Sequence, residues 1–156
     1  LNLKDHEEKA KEAGNSWNLT LNEANDYVII QDQSQIPSFP TSSTSWRESK
    51  AGAIYLNERI INSNGNTILF MTWGYKDGDS NNQWRNPDYL TMQLHLRQGY
   101  EMYLENITTD LQPAFIAPVG LAFEYIYNNI ADTGADPSLG STSFSDLYSA
   151  MEHTHR

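Results

Sequence analysis

Residues 67–73 read Thr-Ile-Leu-Phe-Met-Thr-Trp, a short apolar run bounded by polar and glycine-rich segments. Its length and its composition mark a buried strand. Immediately upstream, Asn64-Gly65 breaks an amphipathic helix over about 46–62, in which Trp46, Ala53, Ile54 and Ile61 recur at helical spacing. Further back, Asp26-Tyr-Val-Ile-Ile-Gln31 is a second β-branched run, separated from that helix by Pro37 and Pro40. Downstream, Asn86 is the expected cap of a long helix with Pro87 in its first turn and Tyr89, Leu96, Tyr100, Tyr103 and Leu104 on one face. Ala114-Phe-Ile-Ala117 predicts a third strand, followed by a helix over about 121–130. A charged helix over 3–13, stopped by Gly14, precedes them all. The order β-α-β-α-β-α implies a parallel sheet with helices on both faces. Three strands make a thin sheet for such a fold.

Composition narrows the function classes. The chain has 156 residues, 38% of them apolar and 12% aromatic, enough for one domain with a real core and against disorder. No linker, repeat or low-complexity segment divides it, so residues 1–156 are expected to form a single domain. No apolar run approaches the roughly 20 residues of a membrane span. Ten Lys and Arg against twenty Asp and Glu give a net charge of −10, a field that repels phosphate backbones. The Lys4, Lys9 and Lys11 cluster is interleaved with Glu7, Glu8 and Glu12, so no nucleic-acid partner is expected. With zero cysteines, disulfides, thiolate metal sites and cysteine nucleophiles are excluded, and the compartment stays open. Two glycosylation sequons, at Asn18 and Asn106, lean toward a secreted or periplasmic protein. Leu1 in place of Met reads as a chain processed or cut from something larger.

In open α/β sheets, ligands bind beyond the carboxyl ends of the strands. Three segments fall there: residues 31–35 (Gln-Asp-Gln-Ser-Gln), residues 72–79 (Thr-Trp-Gly-Tyr-Lys-Asp-Gly-Asp) and the loop after Ala117. Polar residues collect at any solvated strand end, so this placement alone assigns nothing. Near the C-terminus, Glu152-His-Thr-His155 adds a carboxylate three residues before a histidine. Such a carboxylate can hold one ring nitrogen while the other faces a nucleophile. A terminal histidine pair is equally what a frayed tail contains.

Together, residues 26–35 (Asp-Tyr-Val-Ile-Ile-Gln-Asp-Gln-Ser-Gln), 69–79 (Leu-Phe-Met-Thr-Trp-Gly-Tyr-Lys-Asp-Gly-Asp) and 147–155 (Leu-Tyr-Ser-Ala-Met-Glu-His-Thr-His) resemble the SGNH/GDSL hydrolase superfamily. The nearest pattern is a branch with Gln-[Asp/Glu]-Gln-Ser after one strand and Thr-Trp-Gly after the next. The resemblance implies a three-layer α/β/α sandwich with a flavodoxin-like parallel sheet, incomplete here at its N-terminus. It also implies serine-type ester hydrolysis, often of acyl groups on carbohydrates, so a small-molecule or polysaccharide ester is the expected partner. No metal and no organic cofactor is required by that chemistry. By the same resemblance His155 is the general base and Glu152 stands where the family usually has Asp. His153 fits less well, because Ala150 lies three residues before it. Gln33, Ser34 and Gln35 occupy the block where the superfamily places an oxyanion-binding Asn, and a glutamine amide can donate the same hydrogen bond. Counting leaves open which of Gln33 and Gln35 points inward. Trp73 and Asp77 would line the substrate cleft, with Trp73 offering a ring face to a sugar or, equally, capping the core.

The family's nucleophile lies in a Gly-x-Ser turn after the first strand, a block the resemblance places ahead of Leu1. Gly14-Asn15-Ser16 imitates that turn but follows a charged helix, so it is read as a helix stop. The chain is therefore expected to be an internal portion of a longer hydrolase, with the strand at 26–31 left with an unpaired edge. The rival expectation is a non-catalytic carbohydrate-binding or structural module on the same scaffold. Asp77, Asp79, Asn81 and Asp88 fall at places one, three, five and twelve of a calcium-loop pattern, but Asn82 replaces the glycine at place six. A solvated polar loop is the default reading of that segment.

Overall fold

The computed structural model describes residues 1–109 and 112–131. Three strands carry it. Tyr27–Ile30 (β1), Asn66–Phe70 (β2) and Phe115–Ala117 (β3) form a parallel sheet in the order β1-β2-β3. All three coincide with the apolar runs in the sequence. In the register, Ile29 pairs with Ile68 and Ile68 with Phe115, while Ile30 pairs with Leu69 and Leu69 with Ile116. Because side chains alternate, these two rows face opposite sides of the sheet.

The helices are Leu3–Lys11 (α1), Ser16–Asn22 (α2), Thr44–Asn62 (α3), Tyr89–Ile107 (α4) and Val119–Ile126 (α5), the last continued by a π turn over Tyr127–Ala131. Short 3₁₀ turns, Ile36–Ser38 and Ser80–Asn82, lie beyond the ends of β1 and β2. β1-α3-β2 and β2-α4-β3 are successive crossovers, each right-handed by the general rule, and both step the same way across the sheet. Their helices must then land on one face. The core shows that face: Ile30 and Leu69 pack with Leu3 of α1, Trp46, Leu56 and Ile60 of α3, and Tyr100, Tyr103 and Ile107 of α4. Each such fully buried side chain contributes about 1.5–3 kcal/mol. On the other face Tyr27 and Ile29 are 61% and 62% exposed, and Phe115 is 45% exposed. The α/β fold and parallel sheet expected from the sequence are observed. The expected helices on both faces are not: among the described residues α1, α3 and α4 cover the Ile30–Leu69 side, while Tyr27, Ile29 and Phe115 on the other side are exposed. Some buried polar groups on the Ile30–Leu69 side are bonded across elements, while Trp46 Nε1 is buried with no hydrogen bond among the described residues. Asn57 of α3 donates to the Ile107 carbonyl and accepts from Thr67 of β2.

Helix starts are set by side-chain caps, and here the structure corrects two details. α4 is capped by Asp88, which accepts from the Thr91 amide at 2.8 Å and its hydroxyl at 2.9 Å. Asn86 is buried instead, donating to Ser38 Oγ at 2.7 Å, and Pro87 precedes the cap. The segment 14–16 does more than stop α1. Gly14 turns with φ +80°, and Asn15 then caps α2 by accepting from the Trp17 amide. Both sequon asparagines, Asn18 and Asn106, lie inside helices. No described helix is long and apolar enough to cross a membrane.

Candidate functional site

The carboxyl ends of β1 and β2 meet through their loops. Beyond β1, Asp32 is 1% exposed and its carboxylate accepts four hydrogen bonds. The donors are the Leu3 amide (3.2 Å), the Gln33 amide (2.8 Å), Ser49 Oγ (2.7 Å) and the Tyr103 hydroxyl (2.9 Å). They come from α1, the loop itself, α3 and α4, so one side chain fixes the loop to three helices. Burial pushes the Asp32 carboxyl above its ordinary range, against the pull of those four donors. The Tyr103 hydroxyl is pushed up by burial and by the neighbouring carboxylate. A second restraint comes from Gly99 of α4, where any Cβ would lie 1.9 Å from the Pro37 carbonyl oxygen. Only glycine lets the turn after Gln35 sit directly on α4.

On that fixed base stand the residues singled out in the sequence. Ser34 Oγ lies 2.8 Å from the Tyr75 hydroxyl, which also makes a long 3.5 Å contact to Gln35 Oε1. Thr72 Oγ1 reaches the Ser34 carbonyl at 3.4 Å. The Gln35 amide points at Gln33 Oε1 at 3.4 Å. Gln33 thus turns its carboxamide oxygen toward its own loop, and Gln35 turns its oxygen toward Tyr75. Neither NH₂ group has a hydrogen bond among the described residues, so each remains a donor.

Gly74 is held by Gln93, whose Oε1 accepts the Gly74 amide at 2.9 Å from within α4. The Gly120 amide closes the third strand end onto the Met71 carbonyl at 3.1 Å. Trp73 lies flat on Phe123 of α5, with ring centroids 4.3 Å apart and planes 5° apart. One of its faces is therefore occupied by the protein itself. The structure brings Gln33, Ser34, Gln35 and the Thr72 segment together, and it sets Asp77 apart. Asp77 is exposed in the turn closed by the Gly78 amide to the Tyr75 carbonyl, with no hydrogen bond to the cluster. Glu152 and His155 lie outside the described residues, as does His153.

Two of the calcium-loop carboxylates are committed elsewhere. Asp79 caps the turn Ser80–Asn82 through the Asn81 amide and Asn82 Nδ2, and Asp88 caps α4. Among the described residues no group of three or more His, Asp or Glu side chains could hold a metal ion. Two residues that hold this cluster together carry little signal in the sequence. Tyr75 sits inside the segment already singled out, and its hydroxyl was the available signal. Asp32 carries a weaker one, a carboxylate directly after a buried strand with a tyrosine on the buried face of α4.

No family model matches the sequence, and no curated protein matches it. Among solved structures, a protein described as "a putative SGNH hydrolase from Slackia heliotrinireducens" superposes with a TM-score of 0.62 over 85% of this chain, at 21% identity. The chain spans 65% of that protein's length. The fold implied by the sequence motifs is the fold that the two proteins share.

Proposed function

We propose that this chain belongs to a serine-type ester hydrolase acting on acyl esters of carbohydrates. The observation that carries the reading is the pair of carboxamide NH₂ groups, Gln33 and Gln35, left as donors at the carboxyl edge of a parallel sheet on an anchored loop. Fixed neutral donors are what a tetrahedral oxyanion requires, and they act without reorganising during the reaction. On this reading the nucleophilic serine comes from the block that the resemblance places ahead of Leu1. His155 takes its proton as the serine oxygen bonds to the acyl carbon, and then returns that proton to the departing sugar hydroxyl. Glu152 orients the imidazole. Asp77 and Trp73 border the substrate cleft, Trp73 with whatever ring surface Phe123 leaves to it.

One observation favours the second reading, a non-catalytic carbohydrate-binding module. Among the described residues the Ser34 hydroxyl, the serine of this loop, is bonded to the Tyr75 hydroxyl and to no histidine. Labelling separates the two readings. The protein translated from the whole reading frame that contains this chain is treated with a fluorophosphonate serine probe. Covalent labelling that disappears in His155→Ala supports the hydrolase. No labelling, together with no release of acetate from acetylated oligosaccharide, leaves the binding module.

A further inference from the structure

Beside the glutamine loop, Phe39, Pro40, Ser42, Ser43, Ser45, Asn82 and Trp84 line an open cavity of about 360 Å³. We propose that this cavity is a subsite for one neutral pyranose ring, with the Trp84 indole as its platform. The proposal gives the substrate of the hydrolase reading a place for its sugar, and it rests on that reading only for the link to catalysis.

Trp84 is 74% exposed, more than any other large apolar side chain among the described residues. An indole held in water at a cavity mouth presents a flat apolar face, which suits the C–H face of a sugar ring. The remaining polar lining is hydroxyl and carboxamide. Ser43 Oγ accepts from the Trp46 amide, which leaves its proton to donate. Asn82 spends Nδ2 on Asp79, which leaves Oδ1 to accept. The hydroxyls of Ser42 and Ser45 have no hydrogen bond among the described residues. Among the described residues no Lys, Arg, Asp or Glu lines the cavity, so none of them would neutralise a phosphate, a carboxylate or an amine. A neutral, polyhydroxylated ring with one apolar face matches this set, and the volume lies in the range of small-molecule sites.

The platform is also held in place. The turn carrying Trp84 is closed by the Arg85 and Asn86 amides to the Asn82 carbonyl, each at 2.9 Å. Arg85 Nε donates to the Ser38 carbonyl at 2.9 Å, and Asn86 Nδ2 to Ser38 Oγ. Ser38 Oγ in turn donates to the Gln35 carbonyl at 2.7 Å. The junction that supports the sugar cavity therefore also supports Gln35, which couples the two places. Preorganisation of this kind reduces the ordering lost on binding.

The test titrates the protein translated from the whole reading frame with cellotetraose, xylotetraose and, as the charged comparison, tetragalacturonate, read by tryptophan fluorescence and by amide chemical shifts. The expected result is saturable binding of at least one neutral tetramer, with shifts at Ser42, Ser45 and Asn82. Trp84→Ala should weaken it by about tenfold or more, and Trp84→Phe should retain most of it. Far-UV circular dichroism checks that both variants fold. The proposal is overturned if neither neutral tetramer binds, if only tetragalacturonate binds, or if Trp84→Ala binds as well as the parent. Sedimentation showing a dimer that Trp84→Ala dissociates would overturn it too, because a second copy would then be the occupant. Neutral sugar binding by a protein that no serine probe labels would sink the hydrolase reading and keep this one. Ester hydrolysis without sugar binding would do the reverse.

Discussion

The Tyr103 hydroxyl donates a 2.9 Å hydrogen bond to Asp32 Oδ2 across 71 residues of chain. It fastens the middle of α4 to the loop leaving β1, and with Ser49 and the Leu3 amide it makes Asp32 the peg on which that loop hangs. Asp32→Ala leaves three buried donors from outside the loop without an acceptor. Unsatisfied groups of this kind cost about 1–3 kcal/mol each, partly offset where a hydroxyl can turn. The expected loss is about 3 kcal/mol in urea unfolding, with Asp32→Asn losing clearly less. Equal losses for both would mean that the carboxylate is not the anchor.

The same carboxyl sets a pH dependence. Its folded value stands above the ordinary 3.8, with burial as the leading cause. Below 3.8 it is protonated in both states. Between 3.8 and the raised folded value the unfolded chain ionises first, so this group's contribution to stability falls as pH rises through that window. Asp32→Asn cannot ionise. The stability of the parent minus that of Asp32→Asn should therefore shrink as pH rises from about 3.8 and then level off. A difference that grows over that range would contradict the assignment.

The two faces of the sheet should respond differently to truncation. Leu69→Ala removes a side chain with no exposed surface and should cost about 2–5 kcal/mol. Ile29→Thr, on the opposite face, should change stability by about 0.5 kcal/mol or less. Chemical denaturation of the two variants reads both values. A large loss for Ile29→Thr would show that its face is covered.

Trp73 and Phe123 should be energetically coupled. Stacked aromatic pairs contribute about 0.5–1.5 kcal/mol beyond their burial, and a double-mutant cycle with Trp73→Leu and Phe123→Leu isolates that quantity. Coupling near zero would leave Trp73 available for a ligand role alone.

The elements the sequence made legible are those with local signals. Tyr27-Val-Ile-Ile and the run at 67–73 are short apolar stretches bounded by polar segments, and α3 and α4 repeat their apolar residues at helical spacing. The first run, expected to be buried, nevertheless leaves Tyr27 and Ile29 exposed. α2 was not legible because it buries only Leu21, so its helicity depends on the Asn15 cap and on packing. Asn86 was read as a cap because its type suits one. Its partners, Ser38 and His95, become neighbours only after the chain folds. Asp32 stands between two glutamines in a polar segment. Nothing local says that Leu3, Ser49 and Tyr103 will converge on it. At the site, composition pointed to residues 31–35 and 72–79, but the occupied face of Trp73 and the lack, among the described residues, of a hydrogen bond from Asp77 to the cluster are tertiary facts.

The central claim is that Gln33 and Gln35 offer their amides to a developing oxyanion. It is tested most directly by kcat for acetyl-ester hydrolysis in the protein from the whole reading frame, comparing Gln33→Ala and Gln35→Ala with the exposed control Glu105→Ala. Loss of one oxyanion donor typically lowers kcat by about 10²–10³. The account predicts such a loss in at least one glutamine variant, with KM nearly unchanged and Glu105→Ala equal to the parent. Both glutamine variants turning over at the parental rate, or a parent with no turnover, would contradict it.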